Sequence, residues 1–324
     1  MLQTPVAFII FNRPDLTSRV FAEIRRAKPR RLLVIADGPR QDRSGEAKRC
    51  AMTRAIIEQV DWNCEVLRNF SHVNLGCGRR VASGLEWVFE QTTEAIILED
   101  DCVPHPTFFP FCEALLDRYR DDERVMHIGG NGFQFGRTDQ SSSYFFSRYF
   151  PSWGWASWRR AWRHYDLEIA LWPSLRHTDW LREFLDDERL LEYWQLRFDR
   201  AHAGVDVVNT WDLQWTFTCW LQNGLAILPY RTLVSNVGFG PEATHTRSAS
   251  VPLANLPTAP MQFPLKHPPY VFRDREADRG FTEQLIRPRL RRRPGLYGRV
   301  SGRARAVPAS IWKAFGATRS LLLR

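Results

Sequence analysis

Residues 96–103 read Ile96-Ile97-Leu98-Glu99-Asp100-Asp101-Cys102-Val103. The apolar run Ala95–Leu98 passes straight into three carboxylates. Apolar residues without alternation read as a strand covered on both faces. Three like charges at its end repel one another, which is costly unless something cationic is bound. Mg²⁺ and Mn²⁺ take one or two carboxylates together with phosphate oxygens. Alternation along an extended chain puts Glu99 and Asp101 on one face and Asp100 on the other. That division suits one metal ligand and one contact to a polar substrate. The alternative is a solvated acidic turn opening the next helix, where carboxylates favour the helix dipole.

Upstream of this strand the chain alternates strand and helix. Val6–Phe11 is an unbroken apolar run, and Leu16–Ala27 has helical spacing at Val20, Phe21 and Ile24. Arg31–Ala36 is a second strand, ending in the turn signal Asp37-Gly38-Pro39. Ala47–Val60 reads as a helix, Cys64–Asn69 as a third strand, and Arg79–Gln91 as an amphipathic helix. This βαβ order predicts an α/β, Rossmann-like, mostly parallel sheet with helices on both faces. Ligands of such sheets sit outside the carboxyl ends of the strands. Three polar clusters fall at such ends: Asn12-Arg13, Asp37, and Glu99-Asp100-Asp101. Asp-Gly after a strand is commonly a turn, yet Asp37 is also placed to accept from a nucleobase N–H. Arg13 is either solvated or a planar donor to a base or phosphate.

Downstream the character changes. Phe108–Arg120 reads as a helix and Val125–Ile128 as a strand. Residues 144–172 are crowded with aromatics, and the chain has 13 Trp. Trp153 and Trp155 are candidates to pack on the C–H faces of a sugar, the alternative being core packing. Asp179–Ala201 reads as one long helix with Thr178 or Asp179 as N-cap. Asn209–Leu221 reads as a helix, Ala226–Pro229 as a strand, and Thr246–Pro269 as proline-rich loop. The expected organisation is a nucleotide-sugar-binding half over 1–130, an acceptor-side half over 131–270, and a basic tail over 271–324.

The charge supports that last division. Of 45 Lys and Arg, 11 lie between Leu285 and Arg324, leaving 34 against 36 acidic residues over 1–284. The body is therefore near neutral, which argues against a specific nucleic-acid binder. A basic run ending in Ile311, Trp312, Phe315 and Leu321–Leu323 resembles an interfacial anchor for an anionic membrane, the alternative being a solvated tail. The six cysteines lack zinc-site spacing and are expected to be reduced. Pro5–Phe11 is shorter than a signal core and no basic residue precedes it. The expected location is cytoplasmic or peripheral to the inner face of the cytoplasmic membrane.

The order of motifs resembles the GT-A-fold, nucleotide-sugar-dependent glycosyltransferases, nearest the N-acetylglucosaminyltransferase I type and bacterial family-2-like relatives. The pieces are PVAFIIFNRPDLTSRVF at the start, the strand ending in Asp37, and ILEDDCVPHPTFFPFCEALL. YFPSWGWASW (149–158), Trp211-Asp212 and NVGFGPEATHT (236–246) follow. The resemblance implies that Asp101 is the direct metal ligand, for Mn²⁺ or Mg²⁺, holding the donor diphosphate. It implies that Asp100 lies near the ribose, Glu99 near the sugar hydroxyls, and Arg13 and Asp37 against the base, expected to be uracil. Asp212 falls where the family carries its catalytic base, Trp211 would line the sugar pocket, and Gly238–His245 matches a loop that orders over the donor. Two departures stand out: the family's acidic pair after the tryptophan is here Asp212-Leu213, and its loop differs from GPEATHT. His245 is either a second metal ligand or a loop histidine.

These roles make one reaction. A metal neutralises the leaving diphosphate, and one carboxylate takes the proton of an attacking hydroxyl, giving single displacement with inversion. The acceptor class is a glycan, a lipid-linked glycan or a glycosylated protein. The competing classes are a nucleotide-sugar-forming nucleotidyltransferase and a non-catalytic nucleotide-sugar-binding module. Against the first, the strand leads into Asn12-Arg13-Pro14 with no glycine to admit a triphosphate.

Overall fold

A computed structural model describes residues 1–134, 141–185, 187–204, 210–239 and 253–291. Ten strands are β1 (Val6–Ile10), β2 (Arg31–Ala36), β3 (Glu65–Phe70), β4 (Glu94–Glu99), β5 (Cys102–Pro104), β6 (Val125–Gly129), β7 (Tyr144–Ser147), β8 (Trp155–Trp158), β9 (Leu225–Pro229) and β10 (Val234–Asn236). Eight of them form one sheet in the order β3-β2-β1-β4-β8-β6-β9-β7. β8 and β7 run against the other six. The α/β, Rossmann-like architecture expected from the sequence, a mostly parallel sheet with helices, is present.

The first four strands follow from their composition. β1 and β2 are buried along nearly their whole length, as apolar runs between two helical layers must be. Helix α1 (Pro14–Ala27) starts on a proline, carries Asp15 in its first turn, and buries Thr17, Val20, Phe21 and Ile24 on one face. It stops where Lys28 turns left-handed at φ 51°. Helices α2 (Glu46–Ala55) and α3 (Cys77–Gln91) complete the crossovers. Gly84 lets α3 lie against the sheet: a Cβ there would stand 2.6 Å from the Ile35 side chain.

Helix α4 (Phe108–Arg118) leads to β6, which enters the sheet between β8 and β9. The aromatic stretch holds two strands not expected from sequence, β7 and β8. Both are four residues long with every side chain buried, so neither shows the alternation that marks a half-exposed strand. After β8 come α5 (Arg159–Trp162), α6 (Trp172–Leu175), α7 (Trp180–Leu185), α8 (Glu188–His202) and α9 (Asp212–Leu221). The single helix expected over 179–201 is thus two. Asp187 accepts from the Arg189 and Leu190 amides and starts α8 afresh, a cap inside the apolar periodicity.

The expected boundaries also shift. β6, at the end of the predicted first half, hydrogen-bonds only with strands of the second among the described residues, so the two halves share one sheet. The predicted tail begins too early. Helix α10 (Arg275–Phe281) packs on the body, where Ser147 donates to Asp278 at 2.5 Å and the Tyr149 and Thr282 hydroxyls pair at 2.7 Å. The basic stretch past residue 291 lies outside the described residues. Residues 253–269 contain no helix or strand, as expected of the proline-rich segment.

Candidate functional site

β1, β2 and β4 all end on one edge of the sheet, bringing Arg13, Asp37 and the three carboxylates to the same rim. One Nη of Arg13 lies 2.6 Å from Asp100 Oδ1 and 2.9 Å from Asp101 Oδ2. The Phe11 amide adds a bond to Asp100 Oδ2 at 3.2 Å. Asp100 and Asp101 therefore share a guanidinium and do not point to opposite faces. The chain turns immediately after Glu99, so strand alternation ends there. Burial alone would ease deprotonation of Arg13, but Asp100 and Asp101 beside it hold it firmly protonated.

One guanidinium does not neutralise the cluster. Burial pushes Glu99 up to about 8, with Asp101, Asp100 and Asp212 adding to the rise and Arg13 opposing it. Asp100 is raised to about 6 by burial, against the pull of Arg13. Glu99 responds to Asp212, so the fold joins two acids far apart in the chain. Asp212 opens α9 and accepts from the Thr210 hydroxyl. Cys77, first residue of α3, meets the same group: burial raises its thiol, then Glu99, Asp212, Asp101 and Asp100. Sequence reasoning missed Cys77, since nothing in its spacing tied it to these acids.

The segment after β10 closes on the cluster. β10 pairs with β5, directly after the carboxylates, and the Val237 amide donates to Asp101 O at 2.9 Å. A Cβ at Gly238 would stand 2.0 Å from Asp101 Oδ2, so only glycine fits this approach. Phe239 meets the half-exposed Trp153 edge-on at 5.6 Å. Gly238 and Phe239 thus begin the predicted donor loop beside the acids. The rest of that loop, with His245, lies outside the described residues.

Three expected contacts take other forms. Asp37 is buried, and its oxygens accept from the Gly38, Leu75 and Gly76 amides and from Asn74 Nδ2, at 2.9–3.0 Å. A carboxylate has about four lone-pair sites, so none is left for a base N–H. Trp155 has no exposed surface and Trp211 almost none. They stack on each other at 5.3 Å, and Trp155 stacks on His127 at 5.1 Å. Both rings are core, as is His127, which the sequence did not single out. His127 Nε2 bonds Pro151 O and Nδ1 faces Trp215 Nε1, which assigns a neutral ring protonated at Nε2. Burial holds it down at about 3.

The donor set is hard oxygen, suited to Mg²⁺ or Mn²⁺ in a one-carboxylate site completed by phosphate. Among the described residues no three His, Cys, Asp or Glu side chains are gathered as a metal cage. The arrangement has a surplus of negative charge, which can attract a cation, and a separate carboxylate, Asp212, at the start of α9, which can take a proton.

No family model and no curated protein sequence matches the chain. Among solved structures, it is similar to HddC from Yersinia pseudotuberculosis at 9% identity, covering 48% of this chain and 77% of that one, with a TM-score of 0.29. Mouse xyloside xylosyltransferase 1 in its apo form matches at 10% identity over 67% of this chain and 81% of that one, TM-score 0.31. A UDP-glucose pyrophosphorylase complexed with UDP-glucose matches at 10% identity over 45% and 62%, TM-score 0.24. Likenesses this distant carry no argument about chemistry, which rests on the site itself.

Proposed function

We propose that the protein is a metal-dependent, inverting glycosyltransferase that moves a sugar from a nucleotide-diphosphate sugar, of the UDP type, to a hydroxyl acceptor. The observation that carries this reading is the carboxylate cluster Glu99-Asp100-Asp101 at the carboxyl edge of the sheet, tied together by Arg13, with Asp212 near enough to raise Glu99. It is supported by the close approach of Gly238 to Asp101, at the start of the segment that the sequence resemblance matches to a donor loop.

Asp101 is the residue to hold Mn²⁺ or Mg²⁺ with the donor diphosphate; the ion supplies charge neutralisation to the leaving group. Arg13 fixes Asp100 and Asp101 in place. Glu99, raised towards neutrality, is suited to hydrogen-bond a sugar hydroxyl as donor or acceptor. Asp212 takes the proton of the acceptor hydroxyl as its oxygen bonds the anomeric carbon and the bond to diphosphate breaks, inverting that centre. Trp153 is the tryptophan left with exposed surface near Phe239, so it replaces Trp155 and Trp211 as the aromatic wall. The acceptor is a glycan, a lipid-linked glycan or a glycosylated protein.

The test is a panel of nucleotide-sugars, with and without Mn²⁺, read as thermal stabilisation and then as transfer. A ligand that binds only the folded state raises the melting temperature by mass action. The expected result is a shift with one donor that needs the metal and persists in Asp212→Asn, which does not transfer. Stabilisation by no nucleotide or nucleotide-sugar would overturn the donor site, and pyrophosphate release from a triphosphate and a sugar phosphate would make it a nucleotidyltransferase.

A further inference from the structure

Four aromatic rings run in contact from the C-terminal helix to the acid cluster. Phe281, the last residue of α10, meets Phe133 edge-on at 5.9 Å. Phe133 meets Trp153 edge-on at 5.4 Å, and Trp153 meets Phe239 edge-on at 5.6 Å. Phe239 follows Gly238, which has no room for a side chain beside Asp101. Edge-on pairs at these separations are a favoured aromatic geometry.

The far end of the run is fixed to the body. Phe281 stacks on Tyr149 at 4.3 Å and 13°. The buried Asp278 carboxylate accepts from the Ser147 hydroxyl and from Arg273 Nε, which holds α10 down on β7. Directly after Phe281 the chain turns as a π-helix over Thr282–Ile286, an irregularity found often at functional positions.

The middle of the run is held at a cost. Phe133 is buried with φ 51°, a left-handed backbone that aromatic residues rarely adopt and that proteins keep mainly at functional sites. The turn that carries it is wedged between strands. A Cβ at Gly132 would stand 2.2 Å from Pro229 O, and one at Gly130 would stand 2.4 Å from the Val234 side chain. Val234 begins β10, the strand that delivers Gly238 and Phe239 to the acids.

The near end is lightly tied. The Val237 amide donates to Asp101 O and the Gly238 amide to Asn236 Oδ1, both at 2.9 Å. Phe239 is half-exposed, and Trp153 is the ring it rests on.

We propose that Phe281 is a positioning residue for the site: acting through Phe133 and Trp153, it holds Phe239 in place and with it the approach of Gly238 to Asp101. The C-terminal helix then belongs to the machinery of the rim. The consequence for donor binding rests on the function proposed above; the mechanical link does not.

The test is hydrogen–deuterium exchange of the ligand-free, full-length protein, read in peptides that cover residues 234–239. Phe281→Leu is expected to speed exchange there about threefold or more. Phe281→Tyr, which keeps the ring, should restore the wild-type rate. Phe198→Leu removes a buried ring that pairs instead with Trp172, Phe217 and Trp220. It should lower the melting temperature and leave exchange over 234–239 unchanged. Trp153→Leu should reproduce the acceleration, and Phe281→Leu added to it should give no more. The proposal falls if Phe281→Leu exchanges like wild type over 234–239, if Phe198→Leu speeds that segment equally, or if the two changes add. With Mn²⁺ and UDP as the probe, Phe281→Leu should raise the Kd about threefold. A wild type that binds no UDP would sink the donor reading and leave the exchange result standing.

Discussion

Two strand ends carry acids on the same rim, and they are used in opposite ways. After β2, Asp37 spends its whole carboxylate on the chain's own amides and on Asn74. After β4, Asp100 and Asp101 share the guanidinium of Arg13, and Glu99 rises to about 8 because burial and neighbouring acids leave it short of compensation. Residue type and position on the sheet are the same. What separates a structural acid from a candidate functional one is whether the protein supplies the donors. At Asp37 it does; at the cluster a charge deficit is left for something else to fill.

That contrast can be broken in several ways. The largest effect is expected at the acid opposite the cluster. Asp212→Asn should cost about 10²–10⁴-fold in transfer, with donor-induced stabilisation kept, as measured by a transfer assay beside thermal shifts. Asp101→Asn should abolish the Mn²⁺-dependent shift and cut transfer by at least about tenfold. Its melting temperature without metal should be unchanged or higher, because a repelling charge is gone. Asp37→Ala should behave in reverse. It should lose about 1–3 kcal/mol in denaturant unfolding, because buried amides lose their acceptor, while folded protein keeps its turnover. If Asp101→Asn destabilises as Asp37→Ala does, the two loops are alike and the distinction fails.

The smallest effect is a pH dependence. Glu99 has a folded value of about 8 against an ordinary 4.5, so the folded state binds the extra proton between them. Its contribution to stability is complete below 4.5 and is lost as pH rises towards 8. In chelator, the melting temperature should therefore fall over that window, and Glu99→Gln should flatten the fall.

The first half of the sheet was legible because each strand is an apolar run and each helix shows its own face. The second half was not. β7 and β8 are short and wholly buried, so they carry no period, and their antiparallel pairing depends on neighbours remote in sequence. The break between α7 and α8 was hidden because Asp187 interrupts charge, not apolar spacing. At the site, the polar residues expected at the strand ends do share one rim, and Asp212 raises Glu99. Spacing could not reveal that Asp37 is saturated, that Trp155 and Trp211 are spent on a core stack with His127, or that Cys77 lies among the acids. Those facts depend on which donors and rings the folded chain brings to each side chain.

The insertion of β6 between β8 and β9 has a consequence for any attempt to divide the protein. A fragment ending at residue 130 would keep β6 and lose both its partners, and would strip β4 of β8. Its raw backbone donors and acceptors would seek strands on other molecules. The nucleotide-side half should therefore precipitate when expressed by itself, and a split version of the protein is better cut in the surface segments around 253–269.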